Sequence, residues 1–196
     1  MDGRVARSER SRRAIVAAHL ALIDAGDLRP TGERIAERAG LSVRSLWTNF
    51  KDMEALYAAT GALVNERRDA LHQPIPADLP LAERVAVFCA QRAEALEMLA
   101  PSARASALRE PFSVALRDNR AANIARVRAY VEVTFAAELA LADRDRLVNA
   151  LTVACTWSAW SMQRDILHLP VADARASMQR TVWALLTAAG CEPCGF

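Results

Sequence analysis

Between Thr31 and Phe50 the sequence sets Gly40 between two short runs that each open on a hydroxyl residue. Thr31 and Ser42 can each accept a hydrogen bond from the free backbone N–H groups at a helix start. Gly40 suits the left-handed backbone that ends one helix and swings the next across it. In the first run Ile35, Ala36 and Ala39 share a face. In the second, Leu46 and Phe50 are four residues apart and point the same way. Two short helices joined by Ala39-Gly40-Leu41 make a helix-turn-helix over about 31–50, with a small core between them. Val43, Arg44, Ser45, Trp47, Thr48 and Asn49 are left on its outer surface.

Elsewhere apolar residues recur at three- and four-residue intervals and strand-like alternation is almost absent, so the expected fold class is all-α, with about nine helices. A first helix opens near residue 8, carries Ile15, Ala18 and Leu22 on one face, and ends at Gly26. Helices are expected over 31–40, 42–49 and 52–71. The stretch 72–80 holds three prolines and no helix can pass through it. Further helices follow over 81–99, 102–109, 111–141, 143–169 and 171–189. The domain expectation is 1–52 for the helix-turn-helix domain and 53–196 for a helical C-terminal domain, with 52–71 as linking helix and 72–80 as connection.

With 53% hydrophobic and 24% charged residues among 196, the chain is neither disordered nor of membrane class. No apolar run nears the roughly 20 residues that span a bilayer. The basic first residues lead into no apolar signal core, so a soluble, cytoplasmic protein is expected, with no membrane partner. The net charge of +2 is unevenly placed. Residues 1–51 hold ten Lys and Arg against six Asp and Glu, and the remainder fifteen against seventeen. A basic end on a mildly acidic body fits contact with a polyanion, and equally an ordinary solvated arm. Cys89 and Cys155 read as small core residues. Cys191 and Cys194 have CxxC spacing, but no second pair and no nearby His completes a zinc site, so no metal and no cofactor are expected. A Glu-x-x-His pair, a Gly-rich phosphate loop and a nucleophile elbow are all missing, and the three histidines lie far apart. An enzyme, and with it a catalytic residue, is not expected.

The run Ile35-Ala36, Gly40-Leu41-Ser42, Leu46-Trp47, Phe50 and Glu54-Ala55-Leu56 resembles the DNA-binding signature of TetR-type transcriptional regulators. Ala17-Ala18 and Gly26 fall where that family's first helix has its paired alanines and closing glycine, so the match covers about 13–57. The resemblance implies a double-stranded DNA operator as partner, with the third helix in the major groove. Val43, Arg44 and Ser45 would then approach base edges, Arg44 as the foremost reader through guanine O6 and N7, with Ser42 and Asn49 as further DNA-binding residues. Trp47, Thr48 and Lys51 would hold phosphates, and Thr31 at a helix start would lie beside another. Two positions depart from the family pattern: Trp47 replaces its usual Tyr, and Met53 its usual Lys. Lys51, the chain's one lysine, stands nearby. The arm with Arg4, Arg7, Arg10, Arg12 and Arg13 either follows the DNA backbone or remains a solvated tail.

The resemblance also makes the C-terminal domain a ligand-binding and dimerisation region, and the protein a ligand-responsive repressor. Small residues Ala154, Ser158 and Ser161 on one predicted helix, and Met178, Val182 and Leu185 on the last, suggest a homodimer through a four-helix bundle. Such a dimer suits a palindromic operator. Phe88, Met98, Phe112, Tyr130, Phe135, Trp157 and Trp160 are candidates for a pocket taking a small apolar or amphipathic effector, and equally plain core. His19, His72, Gln163, Arg164 and His168 read as surface groups. A different reading is an interaction protein that keeps the fold and has weakened or lost DNA binding, consistent with Met53 and the modest charge.

Overall fold

Gly26 and Gly40 take φ of +92° and +66°, the left-handed backbone that turns the chain after each of the first two helices. Both expected caps form. The Thr31 hydroxyl accepts from the Arg34 N–H and the Ser42 hydroxyl from the Ser45 N–H. The structure is a computed structural model that describes residues 2–140 and 143–189. Among the described residues it has no strand and ten α-helices: α1 (Asp2–Asp24), α2 (Gly32–Arg38), α3 (Val43–Asn49), α4 (Met53–Leu71) and α5 (Leu81–Ala107). They continue with α6 (Val114–Thr134), α7 (Ala136–Leu139), α8 (Arg144–Ala154), α9 (Trp157–Ser161) and α10 (Val171–Ala189). None of them is long and apolar enough to cross a membrane. Cys191 and Cys194 lie outside the described residues.

Several expected helix limits differ. Helix α1 opens at Asp2 and not near residue 8, and the stretch expected as one helix over 111–141 also breaks at Phe135 between α6 and α7. Three further differences have a local reason. First, α5 runs through Pro101 instead of ending at 99. An interior proline costs about 3 kcal/mol. Leu96, Leu99, Ala100 and Ala105 on either side of it are all buried, and that burial offsets the loss. Second, the stretch expected as one helix over 111–141 is broken at its start. Glu110–Phe112 forms a 3-10 turn, Ser113 is extended, and its hydroxyl caps a fresh start by accepting from the Leu116 N–H. Third, the stretch expected as one helix over 143–169 breaks at Cys155-Thr156, then resumes as α9 and a π turn over Met162–Ile166. The Cys155 carbonyl exposed by that break accepts from Arg92 Nη2 at 2.7 Å.

The chain divides into two compact units. The first comprises Met1–Ala70 with Leu99–Ala121, the second Leu71–Met98 with Ala122–Phe196, in each case for their described residues. Unit one closes around Ile15, Ile35, Leu46, Phe50 and Leu56, each at most 1% exposed. Burying a side chain of this size is worth about 1.5–3 kcal/mol, so five of them can hold three short helices. Unit two packs Phe88, Leu96, Val131, Phe135, Leu151, Trp160, Met178 and Val182 into one core. Two of its cations are paired, Arg84 with Glu138 and Arg164 with Glu97.

Candidate nucleic-acid interface

Helix α3 is seven residues, hence about 10 Å long, a length that fits a major groove about 12 Å wide. Leu46 and Phe50 fasten its inner side to the core of unit one. On the outer side Arg44 is exposed, and among the described residues no carboxylate pairs with it. Trp47 is 40% exposed. Its indole lies over Gly32, where a Cβ would stand 2.8 Å from Trp47 Cζ2. The wide ring thus depends on a bare residue at the start of α2. Lys51 is exposed and its ammonium lies 3.8 Å from the Asp52 carboxylate, which also caps the next helix by accepting from the Ala55 N–H.

Other expected contact residues are partly used inside the protein. Val43 packs against the small core. The Thr48 hydroxyl donates to the Arg44 carbonyl at 2.8 Å. The Asn49 amide donates to the Ser45 carbonyl, and its side-chain oxygen accepts from the Ser8 hydroxyl. Met53, where the family pattern has a lysine, is half-buried against the core. Its packing against that core accounts for an apolar residue there.

The basic arm is helical: residues 4–13 belong to α1. Arg7 and Arg10 are exposed, and Arg13 lies 3.9 Å from Glu9 in a solvated pair of little energy. Arg12 departs from the expectation of an outward cation. Its Nη1 donates to the Asn49 carbonyl at 2.8 Å, and its guanidinium lies 4.2 Å from the centre of the Phe50 ring. It therefore holds the C-terminal end of α3, where orphan carbonyls and the helix dipole both favour a cation.

Unit one also contains a cavity of about 60 Å³. His19 and Ile23 of α1 line it, with Leu28 and Pro30 from the turn that follows. Helix α4 contributes Tyr57, Thr60, Gly61 and Val64. Ser102, Ala105 and Ser106 of α5, Arg109, and Leu116 and Asn119 of α6 complete the wall. His19, expected as a surface group, is 3% exposed, with Nδ1 2.8 Å from Thr60 Oγ1. Its pKa is lowered to about 4, chiefly by burial and then by Arg109, with Asp27 opposing. The ring is therefore neutral near pH 7. Burial also raises the Tyr57 hydroxyl, and Arg109 beside it pulls the other way.

No protein-family model matches the chain, and no curated protein matches its sequence. A solved structure does match. It is a transcriptional regulator from Rhodococcus sp. Rha1, with a TM-score of 0.67 and 15% identity, covering 95% of this chain and 99% of that one. At that identity the likeness carries the fold, and this chain shares it almost from end to end.

Of the seven residues expected around an effector, Phe88, Phe135 and Trp160 belong to the core of unit two, and Tyr130 and Trp157 pack against it. Phe88 meets Tyr130 in a tilted contact and Phe135 edge-on, with ring centres 4.6 and 5.1 Å away. Trp160 is buried and its indole N–H donates to Glu97 Oε1 at 2.7 Å. Trp157 and Met98 are half-buried, and Phe112 is 91% exposed on the 3-10 turn of unit one. None of the seven lines the cavity. On α10, Met178 and Val182 are 2% and 0% exposed, inside their own unit's core. They have no surface to offer a partner, which corrects their assignment to a dimer face. Ser158 is exposed, and Ala154, Ser161 and Leu185 are half-buried. The outer apolar surface there belongs instead to Met162, Ile166, Leu167 and Trp183. Arg164, also expected at the surface, is half-buried in a pair with Glu97, whereas His72 and His168 are exposed.

Three residues that matter here escaped the sequence reading. Arg12 gave a signal in its spacing, one turn after Ser8 on the side that meets Asn49. Glu54 accepts from the Ala115 N–H at 3.0 Å and so ties α4 to the start of α6; Ser113 and Ala115 hold its carboxyl below the usual range. Gly61 sits mid-helix, where glycine costs about 1 kcal/mol against alanine. A Cβ there would lie 2.2 Å from Asn119 Nδ2, and that close approach is its reason. An unexplained glycine inside α4 was the available sign.

Proposed function

We propose that the protein is a DNA-binding transcriptional regulator of TetR type that reads duplex DNA with α3. The observation that carries this is the outer face of α3: an exposed Arg44 at the first turn, an exposed indole at Trp47 and Lys51 just beyond, on a helix whose other side is locked into a core. Arg44 is placed to donate two hydrogen bonds to a guanine edge, while Trp47, Lys51, Arg7 and Arg10 would meet phosphates. The Rhodococcus structure of the same fold is that of a transcriptional regulator. The absence of enzymatic motifs in the sequence agrees with this reading.

A homodimer follows as part of the same proposal. Met162, Ile166, Leu167 and Trp183 expose apolar surface on the last segments of unit two, and a second copy would cover it. Two copies would present two α3 helices to half-sites about 34 Å apart, on a palindromic operator. Repression, with release by a small effector, is the mode we assign.

Selection from a random duplex pool tests it. The reading requires enrichment of a palindrome and an affinity that falls steeply with salt, as counterions are released from phosphates. Recovery of no common sequence, with no salt dependence, would favour an interaction protein of this fold. A monomer in sedimentation at concentrations well above those used for DNA binding would remove the dimer.

A further inference from the structure

The cavity of unit one combines apolar walls with one cation that has no counter-charge. Arg109 lines it, and among the described residues no carboxylate forms an ion pair with that guanidinium. The acids whose charge reaches the His19 and Tyr57 side chains, Asp27 and Glu54, have partners of their own, and Glu110 next to Arg109 pairs with Arg120 at 2.9 Å. Asp27 pairs with Arg34 at 2.6 Å, and Glu54 accepts from the Ala115 N–H. His19 is neutral, so it adds no second positive charge, and Thr60 occupies its Nδ1. Its remaining ring nitrogen, the Tyr57 hydroxyl and the Ser102 and Ser106 hydroxyls are hydrogen-bonding groups around a single charge. Ile23, Val64 and Leu116 provide the apolar surface.

We propose that this cavity binds a small monocarboxylate, its carboxylate paired with Arg109 and its short hydrocarbon body against Ile23, Val64 and Leu116. A water needs roughly 10–15 Å³ by this measure, so about 60 Å³ admits a body of about four to six non-hydrogen atoms. A guanidinium recognises a carboxylate by geometry as well as charge. A primary amine of the same size would meet Arg109 with like charge. A dicarboxylate would press its second charge against the apolar wall, where nothing compensates it. The site gives the proposed regulator a ligand class and a location away from the aromatics of unit two. Its walls on α1 and α4 belong to the same compact unit as α3. Any effect of filling it on operator affinity rests on the regulator reading, but binding itself does not.

Binding is measured on the free protein, so a negative result here leaves the DNA reading intact. Titration with butanoate should raise the melting temperature in a dose-dependent way and shift the His19 ring signals in NMR spectra. Butanamide, equal in shape without the charge, and propylamine should do neither. Arg109→Gln should weaken butanoate binding by roughly tenfold or more, and Arg109→Lys should keep part of it. Because the His19 signal is followed in the unaltered protein, the proposal is decided even if the variants fold poorly. It is overturned by His19 signals that stay in place under saturating butanoate, by equal response to butanamide, or by an Arg109→Gln protein that binds as the original does.

Discussion

In unit two Arg84 is buried and gives its guanidinium to Glu138 and to the carbonyls of Leu79 and Thr134. In α3 of unit one, Arg44 is exposed and meets no carboxylate among the described residues. The two arginines have the same chemistry and opposite circumstances. A buried guanidinium must find its acceptors within the chain, because desolvation would otherwise outweigh any packing gained. An arginine held at the surface of a rigid short helix has its donors free for an acceptor outside the chain. The pairing of Arg84 therefore belongs to stability, and the open Arg44 of α3 is the group that the proposed recognition would use.

The comparison predicts a wide gap in consequence between the two sites. Arg84→Ala leaves Glu138 half-buried without its partner and should cost on the order of 3–5 kcal/mol in denaturant unfolding. A loss under about 1 kcal/mol would break the contrast. The next effect in size is acidic. His19 is held near pKa 4 in the fold against 6.5 free, so the unfolded chain binds the extra proton between those values. Its contribution is present above about pH 6.5 and is lost as pH falls towards 4, by roughly 3 kcal/mol at most. Unfolding followed from pH 7 to pH 4 should therefore show less of a decline in His19→Gln than in the original protein. A parallel decline in both would contradict the burial argument.

The helix-turn-helix was legible because its determinants are local. Thr31 and Ser42 cap within three residues, Gly40 turns the chain at one position, and Ile35, Leu46 and Phe50 lie within one short span. What escaped was set at long range. Arg12 reaches Asn49 37 residues away, and His19 reaches Thr60 across 41. Both look like ordinary helix residues until their partners arrive. The same holds for α10, where periodicity marked Met178 and Val182 as an apolar stripe without saying whether own core or partner covers it. Pro101 misled in the other direction, since its local penalty was outweighed by burial on either side.

Gly40→Ala tests the local half of this account. It places a Cβ at φ +66°, and although no atom lies within 4 Å of that position, the backbone itself should cost about 1–2 kcal/mol. Equal stability would mean the turn tolerates another conformation. The smallest effect is expected at Lys51, whose 83% exposed side chain lies 3.8 Å from Asp52. Lys51→Ala should leave stability unchanged, weaken all duplexes alike, and lower the slope of log affinity against log salt by about 1. A sequence-dependent loss would move Lys51 from phosphate to base contact.

The most direct test is duplex selection repeated with Arg44→Ala. If α3 reads DNA through that guanidinium, the variant keeps its stability and its salt dependence while preference for guanine disappears at one position of each half-site, at a cost of about 1–3 kcal/mol on the original operator. An Arg44→Ala protein that selects the same sequence with the same affinity would contradict the assignment of α3 as the reading helix.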